Sequence, residues 1–429
     1  MALATAIQPP LLSLDTGQVE RLARWRNEPS WLLEARLRSL ARFTPDTWPT
    51  GLEEEWRRFP LTDLPRADLI REPDGSDPPG EYSAIPIEAA HRGVVFDRWV
   101  DAMRDHPELV RTWLDKGEGI KSHDAFRALN GAAFAHGSTF LYVPAGVTVE
   151  LPLHVHKRWT ASDRAIVFRT IVVAERGSSV TFVEELSSEG GSAGRVAIPG
   201  LEVHVGEGAH VRYVQIQRFA DDVWDLGFQR YRSARDSSLA SFNVQVGSGR
   251  SKIGVASDIE GDGAEVKLYG LVAAGGKQRI DVNSLQKLDG KGSSSDLLYL
   301  SALYDASKAV YYGVIRVEPT SSGTGSYQEC RNMLLSDKAG ADPIPVLEIL
   351  TNDVARCGHG ATAGAIDETE LFYVMSRGLD RSSAEQLLVR GFFQRVINHI
   401  PDVQVRSRVL DALAPRIGRV AELEAEVAV

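Results

Sequence analysis

Cys357 and His359 stand two positions apart in the run DVARCGHGATAGAI at 353–366, and their types and spacing suit metal chemistry better than any other pair in the chain. With two cysteines and ten histidines in 429 residues, a soft sulfur beside an imidazole singles this run out. If the run is extended, side chains alternate with period two and both groups point to one face. A thiolate and an imidazole nitrogen presented together suit iron, zinc or copper. Two ligands are half a tetrahedral set, so a metal held here needs groups from elsewhere, a second chain included. A bland alternative fits the same residues: a buried cysteine acting as a small hydrophobe next to a hydrogen-bonded histidine.

Other candidates carry less. His154 and His156 in LPLHVHKRW share a strand face, which suits a metal or, more simply, a solvated sheet surface. His106 precedes Pro107 and reads as a turn residue. GGKQ and GKGSS lack both the earlier glycine and the following helix that a phosphate loop requires, so they read as turns. Cys330 lies 27 positions before Cys357, about one repeat of the pattern described below, and reads as core, although stacking would bring the two thiols near each other.

The elements that must position these residues change character along the chain. Val19, Leu22 and Trp25, then Leu33, Leu37, Leu40 and Phe43, recur at helical spacing, and VVFDRWVDAMRDHPELVRTWL carries another apolar stripe after Pro-rich breaks. Past residue 136 the runs become alternating or β-branched, as in TFLYV, AIVFRTIVVA and HVRYVQIQ. Turns recur in register: RGSSV, GEGAH, RDSSL, GDGAE and GKGSS follow one another at intervals of about 26 to 30 residues, with weaker breaks between them. That period predicts a parallel β-helix with two or more strands per coil, while the short turn spacing also fits an antiparallel sandwich. Helix returns at the C-terminus, with Asp367 and Glu370 as a capping pair, Arg377-Gly378 as a stop, and Ser382 with Glu385 opening a second helix. Its stripe of Leu387, Leu388, Phe392, Val396, Ile397 and Ile400 is expected to cap the end of the solenoid. The division expected is a helical region 1–135, a β-helix core 136–366 and a helical region 367–429.

Longer strings carry a resemblance. CRNMLLSDKAGADPIPVLEI at 330–349, CGHGATAGAID at 357–367 and ELFYVMSRG at 370–378, with WRNEPSWLLEARLRSLARF and TFLYVPAGVTVELPL upstream, resemble the SufB/SufD family of iron-sulfur cluster assembly scaffolds. The resemblance runs from near the start to about residue 400. It implies a right-handed parallel β-helix core flanked by helical regions, mainly β overall. One branch of the family carries GDKCG and HEAT, where this chain has SDKAG and HGAT. Ala339 therefore stands in place of a cysteine implicated in accepting sulfur, and Gly360 in place of a glutamate, so the chain resembles the SufD branch. Without that thiolate and carboxylate it lacks the nucleophile and acid-base pair for sulfur transfer and is expected to be a non-catalytic subunit. The resemblance further implies a SufB-like paralog and a SufC-like ABC ATPase as partners, with ATP used only by the latter. His359 and Cys357 become candidate ligands of a nascent iron-sulfur cluster held transiently at the interface with the paralog. A homodimer could use the same surface.

Composition is consistent with these expectations. A net charge of -10 without a basic stripe argues against nucleic acid. Two cysteines do not make a disulfide framework, and the first twenty residues lack the basic start and apolar core of a signal peptide, so a reducing, cytoplasmic location is expected. No run of eighteen apolar residues predicts a membrane span. The rival from another class is a secreted-type β-helix enzyme acting on polysaccharide, which would need a leader and a dense carboxylate cluster along the strands. A stand-alone iron-sulfur carrier would need more thiols.

Overall fold

The computed structural model describes residues 11–70, 80–114, 121–135, 137–160, 164–191 and 194–417. Alternating runs such as Ala165–Ala174 and Ser179–Ser188 form strands that take turns between two sheets. The first sheet stacks Val354–Ala365, Thr324–Leu334, Ser294–Leu303, Glu265–Ala274, Ser238–Gln245, His210–Arg218, Ser179–Ser188 and Leu153–Trp159. The second stacks Gly340–Ile349, Lys308–Val317, Arg279–Leu288, Arg250–Ile259, the split strand Val223–Asp225 and Phe228–Ser233, then Arg195–Val205, Ala165–Ala174 and Thr139–Val143. Within these stacks every pairing is parallel, with His210 beside Ser238, Ser238 beside Glu265, Glu265 beside Ser294 and Gly325 beside Arg356. The architecture is a parallel β-solenoid with two strands per coil and coils of 26 to 32 residues, and the antiparallel sandwich falls away.

The turn period has a simple cause. At one corner of successive coils Gly177, Gly208, Asp236, Gly263 and Gly292 adopt left-handed backbone, which glycine tolerates without a Cβ clash. Each donates its N–H to the same corner of the next coil, Gly177 to Glu207 O, Gly208 to Arg235 O and Gly263 to Lys291 O among them. These are the five turns picked out by their spacing.

Between the sheets runs one apolar column, from Phe96 and Phe182 through Val203, Tyr231, Val255 and Leu268 to Ile315 and Cys330. Helices and the turns between them cover both outer faces. Trp56, Phe59, Phe126 and Phe134 pack on Ile171, Val196, Ile198 and Trp224 of the second sheet. Val389, Phe393, Ile397, Val409 and Leu413 pack on Val214, Phe242, Leu271 and Leu300 of the first. The C-terminal stripe therefore lies along the flank of the solenoid and does not cap its end. The outward apolar rows of the first sheet offer far more surface to remove from water than the rim of one coil does.

Three local readings change. In the helix Ser30–Ala41 the buried face is Leu32, Ala35, Arg36 and Ser39, with Leu33, Leu37 and Leu40 at its edge. Arg36 can be buried because it holds Glu28 through two bonds of 2.7 Å and donates to the carbonyls of Ala132 and Phe134. Val95–Arg98 is a strand, paired antiparallel with Thr139–Val143, and helix begins only at Trp99. The second C-terminal helix spans Arg381–Ile397 and is capped by Asp380, which accepts from Ser383 N, two residues before the expected start.

Candidate metal site at the open end of the solenoid

The strand Val354–Ala365 is the last of the first sheet, with no strand beyond it among the described residues. Register decides where its side chains point. Cys357 lies beside Ser326 and His359 beside Gln328, and Ser326, Gln328 and Cys330 are buried in the space between the sheets. Parallel neighbours share a face, so Cys357 and His359 look into the mouth of that space together, with Cα atoms about 7 Å apart. Cys357 is half-buried against the apolar column, whereas His359 is exposed. Burial pushes the Cys357 thiol up from its ordinary range, so it keeps its proton until a metal or a positive partner favours the thiolate.

Behind the pair the floor is polar and satisfied. Gln328 donates to Gly313 O at 3.2 Å and accepts from the Tyr311 hydroxyl at 3.2 Å, which in turn meets Ser284 at 2.7 Å. The opposite wall offers no ligand: Ala341, Pro343, Pro345, Leu347 and Ile349 occupy its inward positions, beside Ala309, Tyr311, Gly313, Ile315 and Val317. Ala339 is buried just before that strand. On the outer face, a Cβ at Gly360 would lie 2.9 Å from the Tyr327 hydroxyl, so the tyrosine occupies the direction a side chain at 360 would take. Arg356 lies over the same ring at 5.8 Å and donates to Asp296 at 2.6 Å, tying the outer strand to the second strand behind it.

The two thiols are not brought together. Cys330 pairs with Ala361, four residues along the strand from Cys357, a displacement of about 13 Å. The coil here is 31 residues long with an irregularity at Thr324/Gly325, so a separation of 27 does not stack. Cys330 is core: it is buried, accepts from Asn332 Nδ2 at 3.5 Å, and burial pushes its thiol up to about 12. His154 and His156 do share an outer face, but Glu185 holds the first at 3.0 Å, Ser187 the second at 2.7 Å, and Arg408 of the C-terminal helix covers the same carboxylate at 2.9 Å. His106 sits at the junction of two short helices, as a turn residue should. Among the described residues no three His, Cys, Asp or Glu side chains gather in a metal-holding group, so the described residues add no third ligand to the Cys357–His359 pair.

Sequence reasoning missed the polar file inside the solenoid. Lys157 and Glu184 form a fully buried ion pair at 2.7 Å, and Glu184 also accepts from Thr170 and Tyr213 at 2.6 Å. Burial would raise that carboxyl, but Lys157 and these donors hold it below its ordinary range. Tyr213, Gln215, Gln229 and Asn243 extend the file to Tyr299. A charged residue at the inward parity of a strand was the available signal.

Residues 157–392 match the family model described as SUF system FeS cluster assembly, SufBD core domain, and residues 83–155 match SufBD protein N-terminal region. The iron-sulfur cluster assembly protein SufD of Bacillus subtilis is 26% identical over 95% of this chain and 98% of its own length. The iron-sulfur cluster assembly protein SufB of the same organism is 25% identical over 89% of each chain. A chloroplastic SufBD family protein of Arabidopsis thaliana, ABCI8, is 26% identical over 92% of this chain and 78% of its own. No helix among the described residues is long and apolar enough to cross a membrane.

Proposed function

We propose a role that proceeds from one fact: this chain belongs to the SufBD family of SUF-system iron-sulfur cluster assembly proteins. Within that family it acts as a SufD-type scaffold subunit. It pairs with a SufB-like paralog, binds a SufC-like ABC ATPase that does the ATP hydrolysis, and works in the cytoplasm. The division into helical region, β-helix core and C-terminal helical region at residues 135 and 366 belongs to the same proposal.

One observation carries this reading. The solenoid ends in an open mouth whose one wall presents a half-buried thiol and an exposed imidazole toward whatever lies beyond, while position 339 is alanine and position 360 glycine. This end can contribute ligands but brings neither the sulfur-accepting thiol nor the carboxylate, so the paralog supplies both. The cluster is cargo: iron meets His359 at a ring nitrogen, and Cys357 gives up its proton on binding metal. A homodimer through the same end is the lesser variant.

Anaerobic co-expression with the paralog and the ATPase, followed by affinity purification of this chain, tests the proposal. The wild type is expected to co-elute with both partners, iron and sulfide. His359→Ala should keep the partners and lose about tenfold or more of the iron and sulfide, as metal-ligand losses do. Recovery of the wild-type chain without either partner would sink the scaffold reading.

A further inference from the structure

Stacking of the coils sets three cations side by side. Arg250, Arg279 and Lys308 open successive strands of the second sheet in register, Arg250 beside Arg279 and Arg279 beside Lys308. Ser251, Ile280 and Ala309 after them are buried, so the three side chains point outward. Neighbouring strands lie about 4.8 Å apart, which makes a ladder of positive charge about 10 Å long. Trp224 flanks it at one end, with the Arg250 guanidinium 4.7 Å from its ring, and Gly340 flanks it at the other. A Cβ at Gly340 would meet Lys308 Nζ at 2.6 Å, so that ammonium lies over a position with no side chain. Like charges on adjacent strands oppose folding unless something neutralises them. Lys287 also stands beside Arg316, and there Asp289 holds the first at 3.0 Å and Glu318 the second at 2.7 Å. On the ladder Asp63 holds Arg250 at 3.1 Å, but Arg279 and Lys308 form no ion pair among the described residues. Three acids around it are engaged elsewhere: Asp342 with Arg58 at 3.5 Å, Asp221 with Gln278 at 3.1 Å, and Asp305 with the N–H of Gly276 at 2.7 Å. Beside Arg250 opens a groove of about 290 Å³ lined by Asp221, Trp224, Gly249, Lys277 and Gln278, and Lys277 adds a fourth, exposed cation.

We propose that the ladder and its groove bind a small oligophosphate, with the phosphate chain along Arg279 and Lys308 and its end at Arg250 and Lys277. The chemistry follows from the spacing. A single carboxylate neutralises one rung and leaves the others in repulsion, whereas a phosphate chain carries charge on every unit and reaches several rungs at once. Guanidinium groups grip phosphate oxygens through paired N–H donors, and an ammonium adds a point charge. A ladder bounded by Trp224 and Gly340 after three rungs is too short for a nucleic-acid backbone, which needs an extended basic stripe. The groove lies at the small end of ligand pockets, which run from about 300 to 1,000 Å³, so any organic portion of the ligand is no larger than a nucleoside. The site stands on the outer face of the second sheet and uses neither Cys357 nor His359, so it is independent of the scaffold pairing proposed above.

Titration calorimetry on the full chain with sodium tripolyphosphate, in magnesium-free buffer of low ionic strength, tests this directly. The wild type is expected to bind one equivalent. Arg279→Gln combined with Lys308→Gln should weaken binding about tenfold or more, since two charge-assisted contacts are lost. Lys287→Gln combined with Arg316→Gln, on the row that the chain neutralises itself, should change it less than about twofold. Equal losses from the two pairs would mark a general attraction of anions to the surface and overturn the site, as would the absence of binding at millimolar tripolyphosphate. Pyrophosphate and ADP separate the sources of the phosphate: tighter binding of ADP places a nucleoside in the groove, and equal binding makes the phosphate chain the whole ligand. Thermal unfolding guards against a merely structural role. Without phosphate the Arg279→Gln, Lys308→Gln variant should unfold at the wild-type temperature or above, because it relieves repulsion, and tripolyphosphate should raise the midpoint of the wild type alone. A variant that unfolds at a lower temperature would show that these cations serve contacts within the chain, and the proposal would fail.

Discussion

The two ends of the solenoid face the same physical problem and solve it in opposite ways. At the N-terminal end each sheet is closed by a short antiparallel strand, Glu81–Tyr82 on Leu153–Trp159 and Val95–Arg98 on Thr139–Val143. The space between them is plugged by aromatic rings, with Tyr82 on Phe96 at 5.1 Å and Phe96 on Phe182 at 5.6 Å. At the C-terminal end two long parallel strands of 10 and 12 residues stop with no further strand over them among the described residues. The groups at the mouth there are a thiol, an imidazole and prolines. Closing an end with rings removes apolar surface and backbone edge from water at once, whereas leaving an end open keeps both for another molecule. Closure thus lies at one end, and the association proposed for this chain at the other.

The contrast breaks most readily at the plug. Phe96→Ala is expected to cost about 3–5 kcal/mol in urea unfolding, because it opens a cavity among rings that cannot collapse. His359→Ala, at the open end, should stay within about 0.5 kcal/mol of wild type. Equal losses from the two would mean that the ends are energetically alike. Between the ends, Asp225 supplies a pH-dependent test. It is fully buried, Gln217 and Ser251 donate to one of its oxygens, and burial pushes its carboxyl up to about 6. A carboxyl raised on folding favours the folded state while protonated, so its contribution is full below about pH 4 and is lost as pH rises toward 6. Asp225→Asn keeps an acceptor for both donors and should be more stable than wild type above pH 6 by roughly 2–3 kcal/mol, with the gap closing near pH 4. A constant gap across that range would show that Asp225 is not the titrating group.

How much of this was legible in the residues depended on whether the signal was local. The solenoid was readable because its corners repeat: Gly177, Gly208 and Gly263 are needed for the same left-handed turn, and each leaves a mark in the sequence. Asp367 as a helix cap was readable for the same reason. Where the C-terminal helices settle was not, since Val389 and Phe393 carry no sign of whether they cover a rim or a flank. The separation of Cys330 from Cys357 depends on one coil being 31 residues long, a property of its neighbours' registers. Burial of Arg36 depends on Glu28 and on two carbonyls almost a hundred residues away. At the site, the shared face of Cys357 and His359 follows from spacing alone, but the bareness of the edge beside them emerges only once the strands are stacked.

A small effect is expected even where a residue looks as if it should matter. Gly360→Glu restores the carboxylate that this position lacks, and in a packed part of the molecule such a change would be severe. A Cβ at Gly200, for example, would meet Phe228 at 2.7 Å and Asn130 at 2.9 Å within the core. At Gly360 the only close atom is the Tyr327 hydroxyl, the free end of a half-exposed side chain that can swing away. The expected cost is therefore under about 1 kcal/mol by thermal or urea unfolding. A new carboxylate on the outer face lies on the opposite side of the strand from Cys357 and His359, so iron and sulfide recovered with the complex should not rise. If Gly360→Glu destabilised the chain as much as Phe96→Ala does, the open end would have to be as tightly packed as the closed one, and the division of labour between them would fail.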